Sequence, residues 1–148
     1  ENIALIDGDG QMPPEDVLKV YAKLIDEKMD IVKTYREKRY DGPLRKLNSE
    51  VFNILFNVLF PGYPVHDVNS KPKIMTRRVY DSLSLTSNDW FLDAEIMIQA
   101  RRHQYRLGEV STVFYEAQGR KSFVKMKHIL EFLVNFAKAR LREFFVRS

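Results

Sequence analysis

Asp7 and Asp9 stand two residues apart just after the apolar run Ile3-Ala4-Leu5-Ile6, with Gly8, Gly10 and Gln11 completing the segment. Residues two apart share a face in extended backbone, and the glycines permit a tight turn, so both carboxylates can reach one cation. Mg²⁺ and Mn²⁺ usually take one or two protein carboxylates and complete their shell with phosphate and water oxygens. The pair therefore predicts a metal site for a ligand that brings its own phosphates. A short apolar strand leading into it puts the acids where open α/β sheets place ligands, outside the carboxyl ends of the strands. Acidic pairs of this kind also occur in ordinary surface loops, so the spacing alone does not decide.

The elements that must position these acids are legible as an α/β alternation. Pro13-Pro14 suits a first helical turn, and Val17, Tyr21, Leu24 and Ile25 follow at helical spacing. Asp30 to Tyr35 reads as a second strand. Strand, loop, helix and strand predict a βαβ unit with parallel pairing and a right-handed crossover. After Asp41-Gly42-Pro43, the residues Leu44, Leu47, Val51, Ile54, Leu55, Val58 and Leu59 predict an apolar helix that stops at Pro61-Gly62. A loop from Pro61 to Pro72 carries His66, Asp67, Asn69 and Lys71. A short helix over 76–83, a longer one over 90–102 and a strand over 108–114 come next. Gln118-Gly119-Arg120-Lys121-Ser122 forms a basic loop before a final helix. That helix sets Leu130, Leu133, Ala137, Leu141 and Phe144 in one stripe, widened by Ile129, Phe132 and Phe136.

The 148 residues fit one domain over 1–148, and 45% hydrophobic content supports a buried core. Lys and Arg number 24 against 20 Asp and Glu, a mild excess of +4 that suits phosphate-bearing ligands or an anionic membrane surface. The basic residues are scattered among acids, which argues against nucleic acid. Cysteine is absent, so disulfides and thiolate metal sites are excluded. No apolar run approaches the ~20 residues that span a bilayer. The chain enters an apolar strand by Ile3, whereas a parallel sheet seldom starts at its ligand-bearing strand, so an N-terminal portion of the natural protein is expected before it.

Asp7, Asp9 and Gln11, followed by Pro13, Pro14 and Glu15, resemble the acidic motif and helix start of family 2 glycosyltransferases of GT-A fold. The likeness is to the branch with dolichyl-phosphate mannose synthase and bacterial polyprenyl-phosphate sugar transferases. The resemblance extends along the chain. Asp30-Ile31-Val32 leading to Arg36 is similar to the second strand and its arginine, and Arg45-Lys46-Leu47-Asn48-Ser49 to the basic start of the next helix. The segment from Asp67 to Arg78, the Phe91-Leu92-Asp93-Ala94-Glu95 helix start, the Leu107-Gly108-Glu109-Val110 strand and the Gly119-Arg120-Lys121-Ser122 loop also resemble family segments. Ala117 departs from the pattern, standing where the family has an arginine before the closing loop.

The resemblance implies the C-terminal part of a GT-A, Rossmann-like, mostly parallel sheet flanked by helices. It also implies metal-dependent, inverting transfer of a sugar from a nucleotide-sugar donor to a polyprenyl-phosphate or glycan acceptor. Asp7, Asp9 and Gln11 would hold Mg²⁺ or Mn²⁺ against the donor diphosphate. Arg36, Arg45, Arg120, Lys121 and Ser122 would bind the acceptor phosphate, guanidinium forks matching phosphate oxygens in pairs. A phosphate acceptor is already largely deprotonated at neutral pH and needs no base. A sugar hydroxyl needs a carboxylate beside it, which assigns Asp93, Glu95 and Asp67 as catalytic candidates. Acids at a helix start equally complement the helix dipole, and Asp67 equally braces a loop. The apolar helices add an expectation of peripheral contact at the cytoplasmic face of a membrane. A non-catalytic binding or scaffold module keeping this fold is the alternative, and a phosphoryl-transfer enzyme using the same two aspartates is a third possibility.

Overall fold

The computed structural model describes residues 1–40, 43–115 and 126–146. Arg120, Lys121 and Ser122 lie outside the described residues, as does the side chain of Arg45. In chain order the elements are β1 (Asn2–Leu5), α1 (Glu15–Asp26), β2 (Ile31–Arg39), α2 (Pro43–Leu59), β3 (Lys73–Thr76), α3 (Arg77–Ser82), α4 (Leu92–Arg102), β4 (Leu107–Phe114) and α5 (Met126–Val146). An α/β architecture with helices flanking one sheet is what the alternation predicts.

The sheet is mixed rather than mostly parallel. Its order is β1-β3-β2-β4, with β3 antiparallel to both β1 and β2, and β4 parallel to β2. Thus β1, β2 and β4 run the same way, but β1 and β2 are not the neighbours that a simple βαβ unit requires. The strand between them, Lys73-Ile74-Met75-Thr76, is absent from the sequence reading. Four residues give too short an alternation to register beside the helix that begins at Arg77. Thr76 makes the switch by capping α3, its hydroxyl accepting the Val79 N–H at 3.4 Å.

Period-two alternation sorts the core into two layers. Val32 and Ile74 pack with Val20 and Leu24 of α1 on one face, while Ile31 and Met75 join the larger cluster with α2, α4 and α5 on the other. Gly108 lets α1 approach β4, since a Cβ there would meet Lys23 Cε and Val32 Cγ2, each at 3.1 Å. Asp16 in the first turn of α1 accepts a hydrogen bond from Thr112 of β4 and pairs with Lys19 at 2.7 Å. Phe136 of α5 is buried against Phe52, Phe56, Phe60 and Phe91, with ring centroids 4.9, 6.3, 6.0 and 5.4 Å away. Among the described residues no helix is long and apolar enough to cross a membrane.

Candidate functional site

β1 ends at Leu5, and the acidic segment beyond it is an exposed arch. Its far end is pinned to β4. Gln11 accepts the Tyr115 N–H through its carbonyl at 2.9 Å and donates its side-chain amide to the Tyr115 carbonyl at 3.0 Å. Gly10 takes a φ of +70°, turning the backbone between Asp9 and Gln11 in a conformation that favours glycine. Asp9 then folds back to accept the Gln11 N–H at 3.1 Å, while Asp7 reaches across the end of β3 to Lys71 at 3.0 Å.

Beneath the arch lies a ladder of alternating charge. Lys71 Nζ stands 3.0 Å from Asp7 Oδ1 and 3.1 Å from Asp93 Oδ2, and the other oxygen of Asp93 meets Lys73 Nζ at 2.7 Å. Lys73 on β3 is the cross-strand partner of Lys33 on β2, and both side chains are fully buried. Lys33 pairs with Glu109 of β4 at 2.7 Å and donates to the carbonyls of Thr34 at 2.9 Å and Asp67 at 2.6 Å. Glu109 in turn accepts from the His66 ring and backbone. Two buried ammoniums on adjacent strands are tolerable because each meets a carboxylate and backbone oxygens. Burial still pushes the pKa of both down, despite the pull of Glu109 and Asp93.

The predicted site residues divide between this ladder and its supports. Asp7 and Asp93, distant in sequence, share the Lys71 ammonium. Burial disfavours the charge on Asp93, but Lys73 and Lys71 outweigh it and hold its pKa below the ordinary carboxylate range. Asp67 is likewise buried, and the fork of Arg36, with Nε to Oδ2 at 2.6 Å and Nη2 to Oδ1 at 2.8 Å, keeps its pKa low. Arg36 also stacks over Phe114, 5.0 Å from the ring centroid, where a bulge interrupts the β2–β4 register. Glu95 turns away from Asp93 and holds the 84–88 loop, accepting the N–H groups of Thr86 and Ser87 and the Thr86 hydroxyl. Arg77 and Arg78 sit at the opposite end of the sheet, paired with Asp81 and Asp30.

Lys71, Asn88, Asp89, Trp90, Leu92 and Asp93 line an open cleft of about 310 Å³, large enough for a small ligand. Trp90, 67% exposed, forms a wall of this cleft. Sequence reasoning passed over Lys33, Lys73 and Glu109. Each of the two lysines borders an apolar pair, in Ile31-Val32-Lys33 and Lys73-Ile74-Met75, and that is the local signal the sequence offers for them.

Among the described residues, no three or more His, Cys, Asp or Glu side chains are grouped to hold a metal by themselves. Asp7 and Asp9 are exposed, and Asp7 already meets a cation. Asp9 accepts the Gln11 N–H, so the two acids are engaged by different partners, and a hard divalent ion there would have to draw most of its oxygen shell from a ligand and water.

No protein-family model matches the chain. A stretch of 77 residues, 52% of this chain, is 29% identical to the glycine–tRNA ligase beta subunit of Thermotoga maritima. The chain spans 11% of the length of that subunit.

Proposed function

We propose that the chain is the metal- and acceptor-binding part of an inverting glycosyltransferase of GT-A type. Its donor is a nucleotide sugar and its acceptor a polyprenyl phosphate at the inner face of a membrane. One observation carries this reading: Asp7 at the end of β1 and Asp93 at the start of α4 meet on a single ammonium beside an open cleft. Asp7 and Asp9 would hold Mg²⁺ or Mn²⁺, which when bound neutralises charge on the departing nucleoside diphosphate.

The protein's own groups favour a phosphate acceptor over a glycan hydroxyl. A hydroxyl needs a general base with some affinity for its proton. Yet both oxygens of Asp93 are engaged by Lys71 and Lys73, both oxygens of Asp67 by Arg36, and Glu95 is occupied by backbone N–H groups. A lipid phosphate makes no such demand, because it is already charged at neutral pH. Arg36 then braces Asp67 and its loop, and Asp93 orients Lys71 toward the cleft. Trp90 offers an apolar face to a sugar or a lipid chain.

The partial likeness to a tRNA ligase subunit suggests no competing reading of the site. Lys33, Arg36 and Lys73 are each buried or half-buried against a carboxylate, unlike a surface left open to a phosphate backbone.

The test is sugar transfer by the protein that carries this chain, given labelled nucleotide sugars, Mn²⁺ and a polyprenyl phosphate. Label should enter the lipid only with metal, and Asp9→Ala should cut the rate at least a hundredfold. Metal-dependent binding of the diphosphate without transfer would favour the scaffold alternative. Phosphate release without transfer would favour phosphoryl chemistry.

A further inference from the structure

Trp90 is exposed although its neighbour Phe91 is buried, with ring centroid 5.4 Å from that of Phe136. The loop that carries the indole is strapped to the helices along its length. Gln99 accepts the Ser84 N–H at 2.8 Å and donates to the Ser84 carbonyl at 2.9 Å, and Glu95 accepts the Thr86 and Ser87 N–H groups. Asp89 accepts the Phe91 N–H at 2.8 Å through one oxygen and the Asn135 amide at 3.1 Å through the other. The ring thus meets the cleft from a backbone fixed in advance, which lowers the ordering cost of binding.

The cleft wall beside the indole is polar. Lys71 has three N–H groups and gives two of them to Asp7 and Asp93, which leaves one for a ligand oxygen. Asn88 is exposed in the same wall and offers both an amide donor and a carbonyl acceptor. Lys71 is met by two carboxylates and Asp93 by two lysines, so these groups supply directed hydrogen bonds more than net charge.

We infer that this cleft binds a neutral sugar ring, its C–H face stacked on Trp90 and its hydroxyls on Asn88, Asp89 and Lys71. The inference chooses between the two occupants open to the Trp90 face and needs no metal at the acidic arch. A hydrocarbon chain over the indole would dry the neighbouring ammonium, carboxylate and amide without replacing their hydrogen bonds to water. A nucleobase is apolar on both faces, and the cleft has an apolar wall for only one of them. A pyranose carries an apolar face within a rim of hydroxyls, which is the pattern of this lining.

Trp90 is the only tryptophan of the chain, so its emission reports the cleft directly. Methyl hexosides titrated into the chain with a chelator present should shift that emission to the blue and reach saturation. Saturation-transfer NMR, which observes the sugar, covers the variants that lack the indole. Transfer to the ring protons should vanish in Trp90→Ala and persist in Trp90→Phe, which keeps an aromatic face. Asn88→Ala should weaken binding roughly three- to tenfold through lost hydrogen bonds. Both residues are exposed, so circular dichroism should report the wild-type fold in each variant. A methyl hexoside that binds about as tightly as the matching nucleotide sugar shows that the ring itself is held. No emission change with any hexoside, undiminished transfer in Trp90→Ala, or binding confined to alkyl chains, adenosine or whole nucleotide sugars overturns the inference. If the protein transfers no sugar yet passes these tests, the proposed activity falls and the sugar site stands.

Discussion

A fully buried lysine survives only where anionic partners offset its lost hydration, and Lys33 and Lys73 each have a carboxylate and at least one backbone carbonyl. Removing one member is far worse than never having had the pair. Asp93→Asn should therefore cost about 3–5 kcal/mol at neutral pH, read from urea unfolding, because it leaves Lys73 buried without its counter-ion. A loss below about 1 kcal/mol would show that the ladder is not what holds β3 to α4. The acid dependence follows from the same groups. Asp67, Asp93 and Glu95 all have folded-state pKa values below their ordinary ones, so the unfolded chain binds protons first as pH falls. Their stabilisation is complete above the unfolded values near 4 and is lost as pH drops through the folded ones. Melting temperature should fall steadily below about pH 4.5, and a flat profile down to pH 3 would contradict the assignment. Of this network, Asp7 was legible from the spacing of the acidic pair, and Asp93, which is buried, through the resemblance of its helix start. The lysines beneath them were not, since a charge beside an apolar pair says nothing about which carboxylate it meets.

At the scale of elements, α2 shows how periodicity can identify a helix without deciding its buried face: of the residues that mark it, Leu55 and Leu59 pack against the core. The stripe Leu47, Val51, Ile54 and Val58 has regular helical spacing, yet all four side chains are exposed. Phe52, Phe56 and Phe60 are buried instead, because aromatic rings remove more apolar area from water than the aliphatic stripe and meet Phe136 of α5. In α5 Phe136 is buried while Leu133 and Leu141 are exposed, and in α1 Leu24 is buried beside Val20 while Tyr21 and Ile25 are exposed. A helix apolar on most sides leaves its orientation to the partner surface, which the linear pattern does not contain. Strand placement had a similar blind spot. Local signals mark β1, β2 and β4, but the insertion of β3 between β1 and β2 depends on a long-range pairing that runs from Asn2 to Thr76. These faces predict a sharp contrast in stability. Phe136→Ala should cost about 3–5 kcal/mol in urea unfolding. Val51→Ser should change stability by about 0.5 kcal/mol or less. Equal costs would mean that α2 is turned the other way.

On the whole molecule, an exposed row of four large aliphatic side chains on one helix is more than the scattered apolar exposure of an ordinary surface. Leu133, Val134 and Leu141 of α5 are exposed as well, and Lys46 stands beside the α2 row with 63% of its side chain in water. We propose that this row meets an anionic bilayer, its aliphatic groups entering the headgroup boundary and the formal charge of +4 adding attraction to the lipid phosphates. Co-sedimentation with vesicles separates the two contributions. Binding should be stronger to vesicles containing phosphatidylglycerol than to neutral phosphatidylcholine, and should weaken as salt rises. The double substitution Ile54→Asp with Val58→Asp should reduce it at least tenfold, since it places charge where the aliphatic row must leave water. Both positions are exposed, so the melting temperature should stay within a few degrees of wild type, which distinguishes lost docking from lost folding. Vesicle binding that survives the double substitution would move the contact away from α2, and no binding to either lipid would confine the acceptor to soluble phosphates.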